Sequence, residues 1–277
     1  MMQQPVHMQS TSPQSALRVQ GVTKVFTTPK GAVEALASTS FAVGQGEFVS
    51  IVGPSGCGKT TILRIIAGLT AASQGHVYLN GQEITGRTGG NIGIVFQEAN
   101  LLPWRTILDN VALPLKVAHM PKPERHEQAR HYIDLVGLKG FANRMPHELS
   151  GGMRQRAGIA RALVHNPALM LLDEPFGALD AMTRDEHRLE FLRLWQETNK
   201  TVLFITHDIG EAVFMSDRVL VMTPRPGRVV QEVAIDLPRP RHLDQWATPA
   251  FREMVHHIRE TVVNAARRQE GGAALEA

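Results

Sequence analysis

Apolar residues fall along this chain in short unbroken runs separated by polar, glycine-rich joints. Four runs stand out: Phe48-Val49-Ser50-Ile51-Val52, Ile92-Gly93-Ile94-Val95-Phe96, Ala168-Leu169-Met170-Leu171-Leu172 and Thr201-Val202-Leu203-Phe204-Ile205. Runs this short, rich in branched residues and bounded by turn formers, predict strands buried on both faces, as in a parallel sheet. Helical patterns over residues 62–69 and 181–198 supply crossovers between them. Ahead of these, the alternation in residues 17–22 and the run Phe41-Ala42-Val43, closed by Gly44-Gln45-Gly46, predict an antiparallel sheet at the front. Gly75-His76-Val77-Tyr78-Leu79 reads as another short strand ending in an Asn80-Gly81 turn, and residues 218–222 and 228–230 as a hairpin around Pro226-Gly227.

The pattern changes between Leu101 and Leu163, where no strand signal appears. A helix over residues 106–117 is interrupted by Pro114, a charged helix over 122–136 stops at Gly137, and a third opens at Ser150 and runs through Ala160 to Leu163. The expected organisation is a disordered leader over residues 1–15, an α/β domain over 16–240 with an inserted helical subdomain at about 98–165, and a helical tail over 241–277. That tail begins with the connection Pro238-Arg239-Pro240-Arg241, continues as an amphipathic helix over 249–268, and frays from 271.

With 277 residues, 43% of them apolar, the chain can bury a proper core. A net charge of +3 permits anionic partners and selects none. Cys57 stands alone, which excludes an internal disulfide and a multi-cysteine metal site and suits a reducing compartment. No uncharged apolar run approaches the ~20 residues of a membrane span, and the polar first residues lack a signal core, so the expected site is cytosolic, with docking on a membrane protein left open.

The chemistry centres on Gly53-Pro54-Ser55-Gly56-Cys57-Gly58-Lys59-Thr60-Thr61, set between a strand and a helix. Its glycines let successive N–H groups curl inward toward a polyphosphate, and the helix that follows aims its positive end at the same point. Lys59 would reach the β- and γ-phosphates, and the Thr60 hydroxyl would help hold Mg²⁺. Asp173 and Glu174 end one buried strand, which is costly unless they serve a cation. Asp173 is expected to hold Mg²⁺ through water and Glu174 to polarise the attacking water; the plain alternative is an acidic cap for the next helix. Gln97 and His207 stand at two further strand ends, where parallel sheets place ligand groups, although either could be merely structural. Phe26, ahead of the loop, is a candidate to stack on adenine or else a core residue. Cys57, beside Lys59 and a helix N-terminus, is expected to have a depressed pKa and to react with thiol reagents.

Leu149-Ser150-Gly151-Gly152-Met153-Arg154-Gln155-Arg156 forms a second anion site, with Ser150 as the helix N-cap and exposed glycine amides beside it. One chain does not obviously bring both sites onto one phosphate; two chains, head to tail, do. This set, with Gln97, Asp173-Glu174, the Ala178-Leu179-Asp180 loop and His207 in order, resembles ATP-binding-cassette ATPases over residues 17–236. The resemblance implies an α/β P-loop NTPase (RecA-like) core with an N-terminal antiparallel β subdomain and an inserted α-helical subdomain. It implies a homodimer that holds two ATP molecules, each between residues 53–61 of one subunit and Ser150, Gly151 and Gly152 of the other. Glu174 would activate water, His207 would hold it, Gln97 would couple Mg²⁺ and nucleophile to the helical subdomain, and Asp180 would communicate across the dimer. Met153 departs from the family's usual Gln and is expected to alter dimer packing only.

Gln97-Glu98-Ala99-Asn100-Leu101-Leu102-Pro103-Trp104, followed by Asn110-Val111-Ala112-Leu113-Pro114-Leu115, resembles more narrowly the importer ATPases of the nitrate/sulfonate/taurine group. That likeness implies an ATPase subunit at the cytoplasmic face of a bacterial inner membrane. It would work with a permease touched by Leu101, Leu102 and Trp104, and indirectly with a solute-binding protein; no nucleic acid is expected. An exporter subunit and a soluble cassette ATPase acting on nucleic acid are the rival readings. No residue reads the solute.

Overall fold

The computed structural model describes residues 15–29, 31–86, 91–177 and 181–273. The chain opens with two long strands, β1 (Ser15–Thr28) and β2 (Gly31–Gly44), followed by β3 (Phe48–Val52) and helix α1 (Lys59–Ile66). Next come β4 (Gln74–Leu79), β5 (Gln82–Glu83) and β6 (Ile92–Val95). β2-β1-β4-β5 make a small antiparallel sheet. Its first two strands far exceed the short runs expected at 17–22 and 41–43. Main-chain pairing from Lys24↔Leu36 to Thr28↔Gly31 carries the hairpin beyond its buried part, past register shifts near Val22, and leaves Val25 and Phe26 exposed. Ser15, expected in the leader, is already the first residue of β1.

Helices then occupy the stretch before the next strand: α2 (Ile107–Val111), α3 (Leu113–Val117), α4 (Lys122–Leu135) and α5 (Gly151–Leu163). Pro114 lies in the first turn of α3, where its missing N–H is harmless, so the pattern read as one interrupted helix is two. β7 (Leu169–Asp173), α6 (Ala181–Thr198), β8 (Thr201–Ile205), α7 (Ile209–Met215), β9 (Arg218–Met222), β10 (Val229–Ala234) and α8 (Pro249–Ala273) complete the order. α7 has no counterpart in the sequence reading, being only seven residues long; Asp208 caps it, accepting from the Glu211 N–H at 3.1 Å. α8 continues past the expected 268 to Ala273.

The central sheet runs β10-β9-β3-β8-β7-β6, with all neighbours parallel except β10, which returns antiparallel to β9. Side chains alternate across it into two cores. Val49, Ile51 and Leu203 pack with Ile62 and Ile66 of α1 and with Leu17 of the front sheet. Phe48, Leu172 and Phe204 face the helices on the other side. There Phe48 meets Phe191, Trp195 and Phe204 edge to face at centroid distances of 6.2, 5.4 and 5.9 Å, pairings that add to plain area burial.

The Pro/Arg stretch after β10 binds back onto the core instead of serving as a free connection. Arg239 donates to Asp217 and to the Met215 carbonyl, both at 2.8 Å, with its guanidinium 4.3 Å from the Trp195 ring centre. Arg241 is buried and donates to the carbonyls of Phe214 (3.0 Å), Ser216 (2.8 Å), Pro238 (3.2 Å) and Leu237. Burial, and next the like charge of Arg239, pull its pKa down to about 10, so it remains charged at neutral pH. Arg241→Met would leave those carbonyls without their donor. We expect a loss of about 3 kcal/mol in urea-induced unfolding, whereas exposed Arg252→Met should cost under about 0.5 kcal/mol.

Candidate active site

Register places the site. Ile51 of β3 and Asp173 of β7 both pair with Ile205 of β8, and Val95 of β6 pairs with Leu172, so four strands end together. Residues 53–58 leave β3, Phe96 and Gln97 leave β6, Asp173 and Glu174 end β7, and Thr206 and His207 follow β8.

Gly58, at φ 101°, turns the loop directly into α1, and its carbonyl accepts from the Ile62 N–H at 2.9 Å. The helix therefore starts at Lys59, three residues before its apolar pattern does. Lys59 is buried and folded back on its own loop, its Nζ 2.8 Å from the Gly53 carbonyl and 3.0 Å from that of Pro54. Ser55 and Gly56 are exposed; Thr61 is half-buried. Cys57 does not behave as its position beside Lys59 suggested. Its thiol is fully buried in the core with Ile62 and Met222, and burial raises its pKa, outweighing the nearby ammonium. Its contribution to a ligand is limited to backbone.

Two pairs of predicted residues meet. Thr60 Oγ1 donates to Asp173 Oδ1 at 3.4 Å. Glu174 Oε2 lies 3.0 Å from Nδ1 of His207, whose side chain is 63% exposed, so the ring is open to solvent. Glu174 adopts a left-handed backbone, φ 47°, unusual for a non-glycine residue, with its N–H anchored on the Ile205 carbonyl at 2.9 Å. Exposed Gln97 approaches the same place: a Cβ on Gly177 would lie 3.3 Å from Gln97 Nε2 and 3.8 Å from Glu174 Oε2.

Burial, then the charge of Glu174, raises the Asp173 pKa, and the Thr60 hydroxyl, Arg64 and Lys59 only partly oppose this. A half-buried carboxylate pair of this kind attracts a cation. Among the described residues no three His, Cys, Asp or Glu side chains form a metal cage. The hydroxyl, carboxylate and amide oxygens of Thr60, Asp173 and Gln97 instead suit Mg²⁺, which keeps waters and shares substrate oxygens.

Sequence reasoning missed the supports. Arg188, buried on α6, donates to Glu211 at 2.9 Å and to Asp185 at 2.8 Å and lies 3.6 Å from Asp208. Glu211 in turn receives the Thr206 hydroxyl, and Thr206 Oγ1 accepts from the Asp208 N–H at 3.1 Å, so His207 is held by a buried polar network. Buried Asn110 ties the loop of Leu101, Leu102 and Trp104: it accepts from the Leu102 N–H at 2.7 Å and donates to the carbonyls of Leu102, Arg105 and Thr106. From α5, Gln155 reaches the Phe96 carbonyl at 3.0 Å, and Arg161 those of Ala99 and Asn100 at 2.6 and 2.8 Å. A polar residue on the buried face of a helical pattern was the available signal for Asn110 and Gln155.

Other predicted residues stand apart. Ser150 caps α5, accepting from the Met153 N–H at 3.2 Å, but among the described residues no hydrogen bond joins residues 150–152 to the phosphate loop. Phe26 sits on β1 opposite Val33, with Lys24 Nζ 4.9 Å from its ring centre. Val33 is three residues, about 10 Å of strand, from Leu36, the side chain that packs on Gly58. Asp180 falls outside the described residues. Trp104 is 70% exposed, and its neighbour Pro103 lines a groove with Gln97, Leu101 and Arg154.

The family model described as ABC transporter matches residues 36–177. The taurine import ATP-binding protein TauB of Rhizobium johnstonii is 47% identical over 233 residues, 82% of this chain and 88% of that protein. The nitrate import ATP-binding protein NrtD of Synechococcus elongatus is 46% identical over 223 residues, 79% and 81% of the two chains. Among solved structures, the dimeric bacterial ABC transporter cassette MJ0796 superposes with a TM-score of 0.71 at 36% identity, covering 80% of this chain and all of that one; its post-hydrolysis form holds ADP and phosphate.

The raised Asp173 pKa fixes a sign. The folded state binds the Asp173 proton more tightly than the unfolded state, so stability falls as pH rises from the ordinary value of 3.8 through the folded pKa. Asp173→Asn should therefore melt higher than the wild type at pH 7, without nucleotide or metal, and this advantage should vanish near pH 3.5, as read by thermal unfolding at the two pH values.

Proposed function

Given that the chain belongs to the ABC transporter family, we propose that it is the ATP-hydrolysing subunit of an importer for a small anion or organic solute, either a sulfonate such as taurine, or nitrate. The observation that carries the chemistry is the Glu174–His207 contact of 3.0 Å beside the Thr60–Asp173 pair, at the end of the strands that carry the phosphate loop. The names of the taurine and nitrate relatives support the solute class.

In this reading the loop of residues 53–61 binds the ATP phosphates through its backbone N–H groups, Pro54 excepted, and Lys59 exchanges the Gly53 and Pro54 carbonyls for phosphate oxygens. Thr60, Asp173 and Gln97 would hold Mg²⁺, which supplies charge neutralisation at the phosphates when bound. Glu174 orients and deprotonates the attacking water, and His207, steadied through Thr206 and Glu211, holds that water and the γ-phosphate in line. Phe26 stacks on the adenine.

Ser150, Gly151 and Gly152 close over the nucleotide of an opposing subunit in a homodimer, with Asp180 at the junction. Residues 98–165 act as a helical subdomain, and Gln155 and Arg161 tie the Gln97 segment to the helix that carries Ser150. Leu101, Leu102 and exposed Trp104 receive the permease, which in turn meets a solute-binding protein. Among the described residues no helix is long and apolar enough to cross a membrane; we place the subunit peripherally on the cytoplasmic face through that permease.

The test is growth of a strain lacking the gene with taurine or alkanesulfonates as sole sulfur source, or nitrate as sole nitrogen source. A wild-type copy should restore growth on one of these, and a Lys59→Ala copy should not. Purified Lys59→Ala should bind ATP about 100-fold more weakly, the loss of a charge-assisted contact of roughly 3 kcal/mol. Unimpaired growth on all of them would remove the solute assignment, and wild-type ATP affinity in Lys59→Ala would remove the role of the loop.

A further inference from the structure

The turn between β9 and β10 lies against the back of the phosphate loop, and Gly227 is its point of contact. A Cβ on Gly227 would fall 1.7 Å from the Cys57 carbonyl oxygen and 2.9 Å from its carbon. The φ of Gly227 is not positive, so its own conformation does not call for glycine; the space taken by the phosphate loop does.

The turn cannot easily retreat. The Gly227 N–H donates to the Ala35 carbonyl at 3.1 Å, and its carbonyl accepts from the Ala37 N–H at 3.0 Å, a parallel bridge across Leu36. Ala35 and Leu36 of β2 also press on the loop from another side, since a Cβ on Gly58 would lie 2.6 Å from Leu36 Cδ2 and 3.0 Å from the Ala35 carbonyl. Within the turn, buried Thr223 uses its hydroxyl to accept from the Arg228 N–H at 3.1 Å and donate to the Pro226 carbonyl at 3.3 Å.

We infer that Gly227 is a positioning residue for ATP: together with Leu36 it clamps the peptide joining Cys57 and Gly58 and so sets the direction of the loop amides. Those amides bind phosphate only while they point inward, and Lys59 follows directly from the clamped peptide. The turn touches neither Glu174 nor His207 by hydrogen bond or ion pair. The clamp therefore governs nucleotide affinity and not the hydrolytic step.

The inference rests on the nucleotide reading of the loop, which the ATP affinity of the wild-type chain tests separately. The experiment measures the Kd for ATP by calorimetry, and KM and kcat for hydrolysis, on the full chain carrying Gly227→Ala, Thr223→Val or Arg228→Ala. Gly227→Ala should raise Kd and KM about tenfold with kcat within about twofold, and Thr223→Val should raise them about threefold. Arg228→Ala, an exposed side chain on the same turn, should change neither. Wild-type Kd in folded Gly227→Ala, or a fall in kcat at unchanged KM, overturns the inference. If Gly227→Ala does not fold, Thr223→Val decides, and an unchanged Kd there overturns it equally.

Discussion

Parallel pairing in register is the constraint on which the site depends. Because β3, β7 and β8 share the Ile51–Ile205–Asp173 rung, the residues that follow them cannot be placed independently. A slip of one residue would send every core side chain of a strand to the opposite face. The two cores, one on α1 and the front sheet and one on the aromatic cluster around Phe48, therefore fix where Lys59, Glu174 and His207 emerge. Packing energy is converted into the alignment of a few polar groups.

Those groups are held at some cost. The Asp173 carboxyl sits where burial and Glu174 oppose its ionisation, Glu174 occupies a left-handed backbone, and Lys59 is buried against carbonyls. In the proposed reading a triphosphate and its cation would bring the opposite charges that Lys59 and Asp173 lack. The surrounding supports differ in character. Arg188 and Glu211 stiffen the His207 loop through a buried ion pair, whereas Gln155 and Arg161 bind main-chain carbonyls of residues 96–100. These bonds join α5 to the segment on either side of Gln97.

The sequence was most legible where several signals coincided. Glycine spacing, apolar strands and a following helix together placed residues 53–58 between β3 and α1, and the carboxylates Asp173 and Glu174 do end a buried strand. It was least legible where long-range contact decides the outcome. Nothing local distinguishes Gly227, with an ordinary φ, from any turn glycine; only the approach of Cys57 does. Arg239 and Arg241 read as a charged connection because the carbonyls they bind, at Phe214, Met215 and Ser216, have no sequence signature. Cys57 misled because neighbours along the chain suggested a low pKa, while burial, a property of the fold, raises it.

The central claim is that hydrolysis is carried out by Glu174 on an ATP shared between two copies of this chain. Its most direct test is sedimentation of purified Glu174→Gln with ATP and Mg²⁺, alongside the wild type. The account predicts that the variant forms a stable dimer retaining two unhydrolysed ATP molecules, while the wild type returns to monomer as ATP is consumed. A Glu174→Gln chain that stays monomeric, or that hydrolyses ATP at the wild-type rate, would contradict it.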